Sequence, residues 1–199
     1  IVASGSNPSF NLNSLQIESY LNPLTAYQYE PGSTMKIFSF LAAMEAGKYD
    51  GSAKYDSGKI KVASAKIKCW KHGGHGAQTF LQVVQNSCNP GFVIMGQRLG
   101  KERLMSYIKK FGFGEKTGID LSGEEDGILF SLDRMGPIET ATTAFGQGVS
   151  VTPIQQVMGV SAAINGGNLM TPFIVKSISN ANTNELLKNY EPVIKRKVI

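Results

Sequence analysis

Residues 33–46 (STMKIFSFLAAMEA) constrain the fold more than any other part of the chain. Their apolar side chains fall on almost every side of a helix rather than along one stripe, which is typical of a helix buried in a core. Pro31-Gly32-Ser33 predicts where this helix begins, and Gly47 can end it. The segment therefore predicts a domain built around a central buried helix. Its large apolar residues are Met35, Ile37, Phe38, Phe40, Leu41 and Met44.

The composition is that of an ordinary globular domain. Of the 199 residues, 42% are hydrophobic and 18% are charged, which excludes a disordered tail or a coiled coil. The longest apolar run, residues 37–44, is far shorter than the roughly 20 residues that a membrane span needs. We therefore expect any signal peptide or membrane anchor to lie outside this chain.

The chain carries a net charge of +5, and its lysines are concentrated in one stretch. This stretch has no enrichment in arginine and no helical register, so it does not predict a nucleic-acid partner. A solvated face of alternating strand-like residues is the expectation, and attraction to an anionic surface such as a cell-wall polymer is the alternative. The lysines are Lys48, Lys54, Lys59, Lys61, Lys66, Lys68 and Lys71.

Periodic patterns elsewhere predict a mixture of helices and short strands. The predicted helices open at Thr or Pro or follow a Gly, and the strands are marked by alternation of apolar and polar residues. No internal repeat or interdomain linker interrupts the chain, which predicts one domain over residues 1–199. We predict helices at residues 79–86, 90–99, 101–111 and 154–164, strands at 59–62, 66–69 and 171–178, and a loop at 121–138.

Ser33 and Lys36 are three positions apart at the start of the central helix. One helical turn places the hydroxyl and the ammonium group on the same face, within reach of each other. A serine hydroxyl is a weak nucleophile at neutral pH, but a lysine whose charge is disfavoured by apolar surroundings can accept its proton. The backbone N–H groups at the helix start favour a developing oxyanion. The pair therefore predicts a serine nucleophile with a lysine base.

The S-x-x-K pattern is weak by itself, because it occurs by chance in most chains of this length and a serine at a helix start is usually an N-cap. A second motif strengthens the prediction. Ser87-Cys88-Asn89 is an S-x-N between two predicted helices, where it can hold a hydroxyl and an amide over Ser33. S-x-x-K with S-D-N and K-T-G is the motif set of penicillin-binding proteins and class A β-lactamases.

Longer landmarks run in order along nearly the whole chain. They are YEPGSTMK at 29–36, NSCNPGF at 86–92, FGFG at 111–114, TGIDL at 117–121 with Glu124, AFGQG at 144–148, VTP at 151–153 and NGG at 165–167. With these landmarks the chain resembles the class B penicillin-binding proteins. Its cysteine-containing segment is similar to that of the sporulation-specific members.

The resemblance implies an α+β fold of the penicillin-binding protein and β-lactamase type, with helices packed on an antiparallel sheet. It implies that a D-Ala-D-Ala stem peptide or a β-lactam acylates Ser33 and that Lys36 deprotonates this serine. Ser87 and Asn89 would relay protons and hold the substrate amide. It further implies a D,D-transpeptidase that cross-links peptidoglycan outside the cytoplasmic membrane, beside a membrane glycosyltransferase, in vegetative growth or in spore cortex synthesis.

The third motif of the family does not occur where the resemblance places it. K-T-G is expected on an edge strand well after residues 165–167, and the chain ends at Ile199 before reaching it. Lys116-Thr117-Gly118 has the right letters, but it lies between S-x-N and an acidic loop, so we assign it no catalytic role. We therefore expect the front part of a transpeptidase domain, without the C-terminal strands.

All cysteines and histidines of the chain fall in one 20-residue window. Two thiolates with one or two imidazoles are ligands that tetrahedral Zn²⁺ prefers, which predicts a structural zinc site. A disulfide, contributing roughly 3 kcal/mol, and two free thiols are the alternatives. Some members of the family carry a cysteine near the position of Asp56. The preferred ligand set is therefore Asp56, Cys69, His75 and Cys88, with His72 as the competing ligand.

Two other functions remain open from the sequence. The first is a hydrolase with the same motifs, either a D,D-carboxypeptidase or a β-lactamase, which rapid turnover of a β-lactam would reveal. The second is a noncatalytic module that binds β-lactams or is stabilised by zinc, which absence of a covalent adduct on Ser33 would reveal. The landmarks favour the transpeptidase.

Overall fold

The computed structural model describes residues 21–199. None of the helices in this part of the chain combines the length and apolar character needed to cross a membrane. The helices are α1 (Pro23–Ala26), α2 (Lys36–Glu45), α3 (Phe80–Gln85), α4 (Asn89–Leu99), α5 (Lys101–Lys110), α6 (Pro137–Thr143) and α7 (Pro153–Ile164). The strands are β1 (Lys54–Ser57), β2 (Lys59–Val62), β3 (Ala65–Lys68), β4 (Gly76–Thr79), β5 (Asn168–Thr171), β6 (Ser177–Ser179), β7 (Leu186–Asn189) and β8 (Val193–Lys197).

Helix α2 lies at the centre of the core, as its sequence predicts. Phe38 is fully buried, and its ring packs against the rings of Phe111 and Phe113 at centroid distances of 5.0 and 4.8 Å. Burying such a ring contributes roughly 1.5–3 kcal/mol. The expectation of burial all around the helix is wrong for one side, where Ile37 and Met44 are 39% and 49% exposed. That side borders an open groove.

The described strands form four antiparallel pairs, β1 with β4, β2 with β3, β5 with β8 and β6 with β7. Together with the helical core they give an α+β fold. The predicted hairpin at 59–62 and 66–69 is confirmed, with its second strand one residue earlier than expected, at Ala65–Lys68. Its apolar side chains, such as the paired Ile60 and Ile67, pack against the core.

The predicted strand at 171–178 is wrong, because the chain forms two separate strands there. Pro172 has no N–H to donate to a ladder, so β5 ends before it. The backbone N–H groups of Ile174 and Val175 donate instead to the carboxylate of Asp120 at 2.7 and 2.8 Å. A new strand, β6, then begins at Ser177.

Helix α6 begins inside the segment predicted as a loop. Pro137 stands at its first position, and the backbone N–H of Gly136 donates to the carboxylate of Glu139 at 2.9 Å. The helix has only 7 residues, three of them threonines of low helix propensity, so it carries too little periodicity to be predicted. It packs against α4 and so supports the helix that carries the S-x-N asparagine.

Candidate active site

The nucleophile turn is a single 3-10 turn, Gly32–Met35, that runs directly into α2. The N–H of Gly32 donates to the carbonyl of Gly146 at 2.9 Å. Gly146 has φ +83, and a β-carbon on it would overlap the Gly32 carbonyl oxygen. Only glycine fits this close approach, so the loop around Gly146 fixes the backbone next to Ser33.

A second set of contacts ties down the residues before the turn. The carboxylate of Glu30 accepts the N–H of Gly148 at 2.8 Å. Tyr29 and Val151 exchange two backbone hydrogen bonds, at 3.0 and 2.9 Å, as an isolated antiparallel bridge. The segment leading to Ser33 is therefore bonded along its length to residues 146–151.

Lys36 is buried among the groups that its ammonium contacts, and is only 4% exposed. Its Nζ donates to Ser33 Oγ at 3.2 Å and to Asn89 Oδ1 at 2.6 Å. The same Nζ contacts the carbonyl and hydroxyl oxygens of Ser87 at 2.8 and 2.9 Å. Burial lowers the pKa of Lys36 from 10.5 to about 8. An appreciable fraction of neutral amine is therefore present near neutral pH, as a general base requires.

Ser87 occupies the junction between α3 and α4 in a left-handed backbone conformation, with φ +49. Non-glycine residues rarely adopt this conformation. In this conformation Ser87 Oγ donates a hydrogen bond to Ser33 Oγ at 3.3 Å. Helix α3 is fixed at its start by a capping box between Thr79 and Gln82, and α4 begins at Asn89. The junction therefore brings the second motif onto the first.

Trp70 supports the junction from outside. Its side chain is 66% exposed, yet its indole Nε1–H donates to the backbone carbonyl of Asn86 at 2.8 Å. The Trp70 ring also meets the ring of His75 edge to face, with centroids 5.5 Å apart. Trp70 thus links the segment after β3 to the residue that precedes Ser87.

A groove of about 450 Å³ opens beside these polar groups. Ser33, Lys36 and Ser87 line it together with apolar side chains, so a reacting carbonyl can reach the serine next to an apolar wall. The arrangement supports nucleophilic attack by Ser33 with proton transfer to Lys36. The apolar lining consists of Ile37, Phe40, Leu41, Val84, Phe92, Ala163 and Ile164.

The structure brings Cys69, His75 and Cys88 together, with their ligand atoms all within 4.8 Å of one another. Cys69 Sγ lies 3.3 Å from His75 Nδ1 and 3.7 Å from Cys88 Sγ. Both cysteines are free and buried. Three soft or borderline donors at this spacing fit a tetrahedral metal ion such as Zn²⁺.

Two hydroxyl groups complete the surroundings of Cys88. Ser57 Oγ lies 3.1 Å and Tyr55 Oη 3.3 Å from Cys88 Sγ. Burial alone would raise the pKa of the Cys88 thiol, but hydrogen bonds with Ser57 and Tyr55 outweigh it and lower the pKa. Burial raises the pKa of Tyr55, which keeps its phenol a proton donor. These contacts favour a thiolate, the form that binds metals.

Asp56 lies outside this group, which corrects the preferred ligand set. It stands on β1 between Tyr55 and Ser57, whose side chains contact Cys88. Successive side chains on a strand point to opposite faces, so the exposed Asp56 faces away. His72 is also exposed and is not part of the group among the described residues.

Lys116-Thr117-Gly118 belongs to a structural turn rather than to the groove. The N–H groups of Thr117 and Gly118 donate to the two carboxylate oxygens of Glu124 at 2.8 and 3.1 Å, and the Thr117 hydroxyl also contacts Glu124. The carbonyl of Lys116 accepts Lys195 Nζ at 3.0 Å. Glu124 of the acidic loop therefore stabilises this turn through hydrogen bonds.

Three features of the site have no counterpart in the sequence prediction. Glu30, Gly146 and Gly148 lie in landmarks that the sequence shows, but the pairing of YEPGSTMK with AFGQG is visible only in three dimensions. Ser57 and Tyr55 carry no motif. Trp70 follows Cys69 in the sequence, but only the structure shows its hydrogen bond to Asn86.

Comparison with known proteins gives matches over the whole chain. A family model described as the penicillin binding protein transpeptidase domain matches residues 1–199. Stage V sporulation protein D of Bacillus subtilis (strain 168) is 60% identical over 173 residues, which are 86% of this chain and 27% of that protein. The chain spans about a quarter of the length of the curated relatives it matches.

Solved structures of penicillin binding proteins share the fold of this chain. Penicillin binding protein 2X from Streptococcus thermophilus superposes with a TM-score of 0.82 and 28% identity, over 91% of this chain and 26% of that chain. Penicillin binding protein 3 from Mycobacterium tuberculosis, complexed with ampicillin, gives a TM-score of 0.77 and 27% identity, over 89% of this chain and 40% of that chain. The second of these binds a β-lactam.

Proposed function

The chain belongs to the penicillin-binding protein transpeptidase family, and from this premise we propose that it carries the nucleophile of a serine D,D-transpeptidase that cross-links peptidoglycan. The observation that carries the proposal is the convergence of Ser33 Oγ, Ser87 Oγ and Asn89 Oδ1 on the buried Lys36 Nζ.

In the first step, Ser33 Oγ attacks the carbonyl carbon of the penultimate D-Ala of a stem peptide. The proton of the hydroxyl passes to the neutral amine of Lys36. The C–N bond then breaks, and the terminal D-Ala leaves after its amine has taken a proton through Ser87 and Lys36. The product is an ester between the stem peptide and Ser33.

In the second step, the amine of another stem peptide attacks this ester. Lys36 takes the proton of the amine, the new amide forms, and Ser33 Oγ leaves and recovers a proton. A β-lactam would stop at the first step, because its opened ring stays attached and blocks the groove. Asn89 accepts from Lys36 through Oδ1 and donates one Nδ2–H to the Lys68 carbonyl, so its other Nδ2–H can be offered to the substrate amide.

Intact-mass spectrometry of the full-length protein with a β-lactam tests this proposal. We expect the mass to increase by one β-lactam, on Ser33, and the Ser33→Ala variant to show no increase. An unchanged wild-type mass would refute the assignment of Ser33 and favour the noncatalytic module. Rapid release of hydrolysed β-lactam would instead favour the carboxypeptidase or β-lactamase alternative.

The place of action is proposed from the relatives. The 60% identity with stage V sporulation protein D supports a role in spore cortex synthesis. Because stem peptides are cross-linked outside the cytoplasmic membrane, the domain is proposed to act there, with an anchor elsewhere in the protein and a membrane glycosyltransferase as partner. Deletion of the encoding gene that left the spore cortex intact would contradict the sporulation role.

We also propose that Cys69, His75 and Cys88 hold a structural zinc ion, since their donor atoms lie within 4.8 Å and suit this metal. Bound zinc would cross-link the segment after β3 to the S-x-N junction, because Cys88 lies between Ser87 and Asn89. Ser57 Oγ, 3.1 Å from Cys88 Sγ, would hydrogen-bond to this thiolate when the metal is bound. The alternative of a disulfide predicts loss of two hydrogens and no metal.

Native and denaturing mass spectrometry separate these alternatives. Zinc binding predicts a native mass higher by one zinc ion, which denaturation removes, and two thiols that react with an alkylating agent afterwards. A denatured mass two hydrogens lower, without metal, would refute the zinc proposal. The Cys69→Ser variant should lose metal under the same conditions.

A further inference from the structure

The hairpin of β2 and β3 has one apolar face and one face made only of lysines. Its residue pairs alternate along the register: Ile60 faces Ile67 and Val62 faces Ala65 on the inner side. On the outer side, Lys59 stands opposite Lys68 and Lys61 opposite Lys66. All four lysines are exposed. We call these four residues the lysine face.

Like charges directly opposite each other on neighbouring strands destabilise a hairpin. The lysine face contains two such pairs. In the described part of the chain, residues 21–199, none of its four side chains forms a salt bridge, and Asp56 is the one acidic residue that lines the adjoining cleft. The hairpin therefore keeps an uncompensated positive charge that its own folding does not need.

The lysine face adjoins the proposed active site. The carbonyl of Lys68 accepts the Nδ2–H of Asn89, the last residue of S-x-N, at 3.5 Å. A cleft of about 690 Å³ runs along the same edge. Lys59, Lys68, Lys71 and the largely exposed Trp70 line it. Cationic and aromatic groups thus lie side by side next to the residues that would hold a substrate amide.

We propose that the lysine face and this cleft bind the carboxylates of a peptidoglycan strand that is being cross-linked. The inference deepens the proposed function and rests on it, since the strand reaches the cleft only if Ser33 and Asn89 handle its stem peptides. Several carboxylates along one strand would each meet a lysine ammonium, and a sugar ring or peptide could lie on Trp70.

The position of the lysine face favours peptidoglycan over other polyanions as its partner. A phosphate-bearing wall polymer or an anionic membrane surface could bind four lysines anywhere on the protein. Neither explains why strand β3 of this hairpin borders S-x-N, with the backbone carbonyl of Lys68 bonded to Asn89. A strand whose stem peptide occupies the groove must leave it past a neighbouring surface, and the lysine face is such a surface.

The test is co-sedimentation of the full-length protein with purified peptidoglycan from which wall phosphate polymers have been removed. The test variant carries Lys59→Glu and Lys61→Glu. Each substitution converts a like-charge pair into an opposite-charge pair, so the hairpin should fold with equal or higher melting temperature. We expect binding to weaken roughly tenfold, and the wild-type binding to weaken as salt is raised.

Three controls make the result specific. A variant with Lys110→Glu and Lys188→Glu has the same net charge on other elements, and Lys59→Arg with Lys61→Arg keeps the charge of the lysine face; both should bind like the wild type. Peptidoglycan with amidated carboxylates should bind the wild type as weakly as the test variant binds untreated peptidoglycan. Acylation by a small β-lactam is measured in parallel.

Equal binding by the wild type and the test variant would overturn the proposal. So would binding that is seen only with cell walls that still carry the phosphate polymer, or with vesicles of anionic phospholipid, and not with the purified peptidoglycan. A wild-type protein that is not acylated at Ser33 would overturn the proposed function instead, and the two failures are therefore distinguishable.

Discussion

The carbonyl of Gly146 accepts the backbone N–H of Gly32 at 2.9 Å. The α-carbon of Gly146 lies so close to the Gly32 carbonyl that no side chain fits between them. Gly32 directly precedes the proposed nucleophile. The position of Ser33 is therefore set by a loop that is distant in sequence as well as by its own helix. Substitutions in that loop should affect the chemistry without touching a reacting group.

Replacing Gly146 by alanine should slow acylation of Ser33 by about 100-fold, because a β-carbon must push the nucleophile turn out of place. Gly166 is a matched control, since its φ of +81 resembles the +83 of Gly146 but no atom lies within 4 Å of its β-position. Both variants should lose about 1–2 kcal/mol of stability from backbone strain, and Gly146→Ala should lose more because its β-carbon overlaps the Gly32 carbonyl.

The measurement is the second-order rate of β-lactam acylation, together with the urea midpoint of both variants. Slow acylation in Gly146→Ala alone would attribute the effect to the contact with Gly32. If Gly166→Ala were equally slow at equal stability, general destabilisation would be the cause, and the contact would have no special role.

Acylation should rise with pH up to about 8. Burial lowers the pKa of Lys36 to about 8, and only its neutral amine can take the Ser33 proton, so the rate should fall about tenfold per unit at lower pH. Lys36→Arg should be inactive at every pH, since a guanidinium stays charged. A flat profile between pH 6 and 8, measured with a β-lactam that does not ionise in this range, would exclude Lys36 as the base.

The same shift affects stability. Between pH about 8 and 10.5 the unfolded chain binds more protons at Lys36 than the folded chain, so the free energy of unfolding should rise with pH across that window. Lys36→Met removes this titration. Denaturant unfolding of both proteins at pH 7.5 and 10 should therefore show a larger stability gain for the wild type.

Ser87 offers a way to separate strain from chemistry. With φ +49, Ser87→Gly should be about 1 kcal/mol more stable than Ser87→Ala, because only glycine adopts the left-handed conformation without cost. Both variants lack the hydroxyl that contacts Lys36 and Ser33. Acylation should therefore be equally slow in the two, and a recovery in Ser87→Gly would show that the hydroxyl is not needed.

The zinc content of two single variants should show whether His75 or Asp56 is a metal ligand. His75→Ala removes a donor within 4.8 Å of both cysteine sulfurs and should lower the zinc content well below one ion per chain. Asp56→Ala changes an exposed side chain on the opposite face of β1 and should leave the content unchanged. Elemental analysis of purified proteins measures both, and zinc loss in Asp56→Ala would restore the carboxylate to the ligand set.

Local patterns predicted the parts of the site that lie close together in sequence. Ser33 and Lys36 share one helical turn, so their spacing alone brings them within reach. The cysteines and His75 fall in one short window, which predicted their meeting. Asp56 was included in the ligand set because the family resemblance indicates its position in the sequence. The resemblance does not indicate the face of the strand, and alternation along β1 turns the Asp56 side chain away from Cys88.

Contacts between residues distant in the chain could not be predicted from the sequence. The bond between Glu30 and Gly148 spans 118 positions, and no periodicity encodes which loop meets which. The predicted strand at 171–178 was wrong for two reasons: Pro172 ends β5, and the distant carboxylate of Asp120 takes N–H groups that a ladder would have used. Strands β7 and β8 were also missed, because their exposed residues give little alternation.

The hydrogen bond from Trp70 to the Asn86 carbonyl has a pharmacological consequence. Ser33 and Lys36 share one rigid turn, but Ser87 depends on the junction that Trp70 supports from the protein surface. A small molecule that displaced the indole would let the junction shift and separate Ser87 from Lys36. Such an inhibitor would act without occupying the serine, so enzymes that destroy β-lactams would give no protection against it.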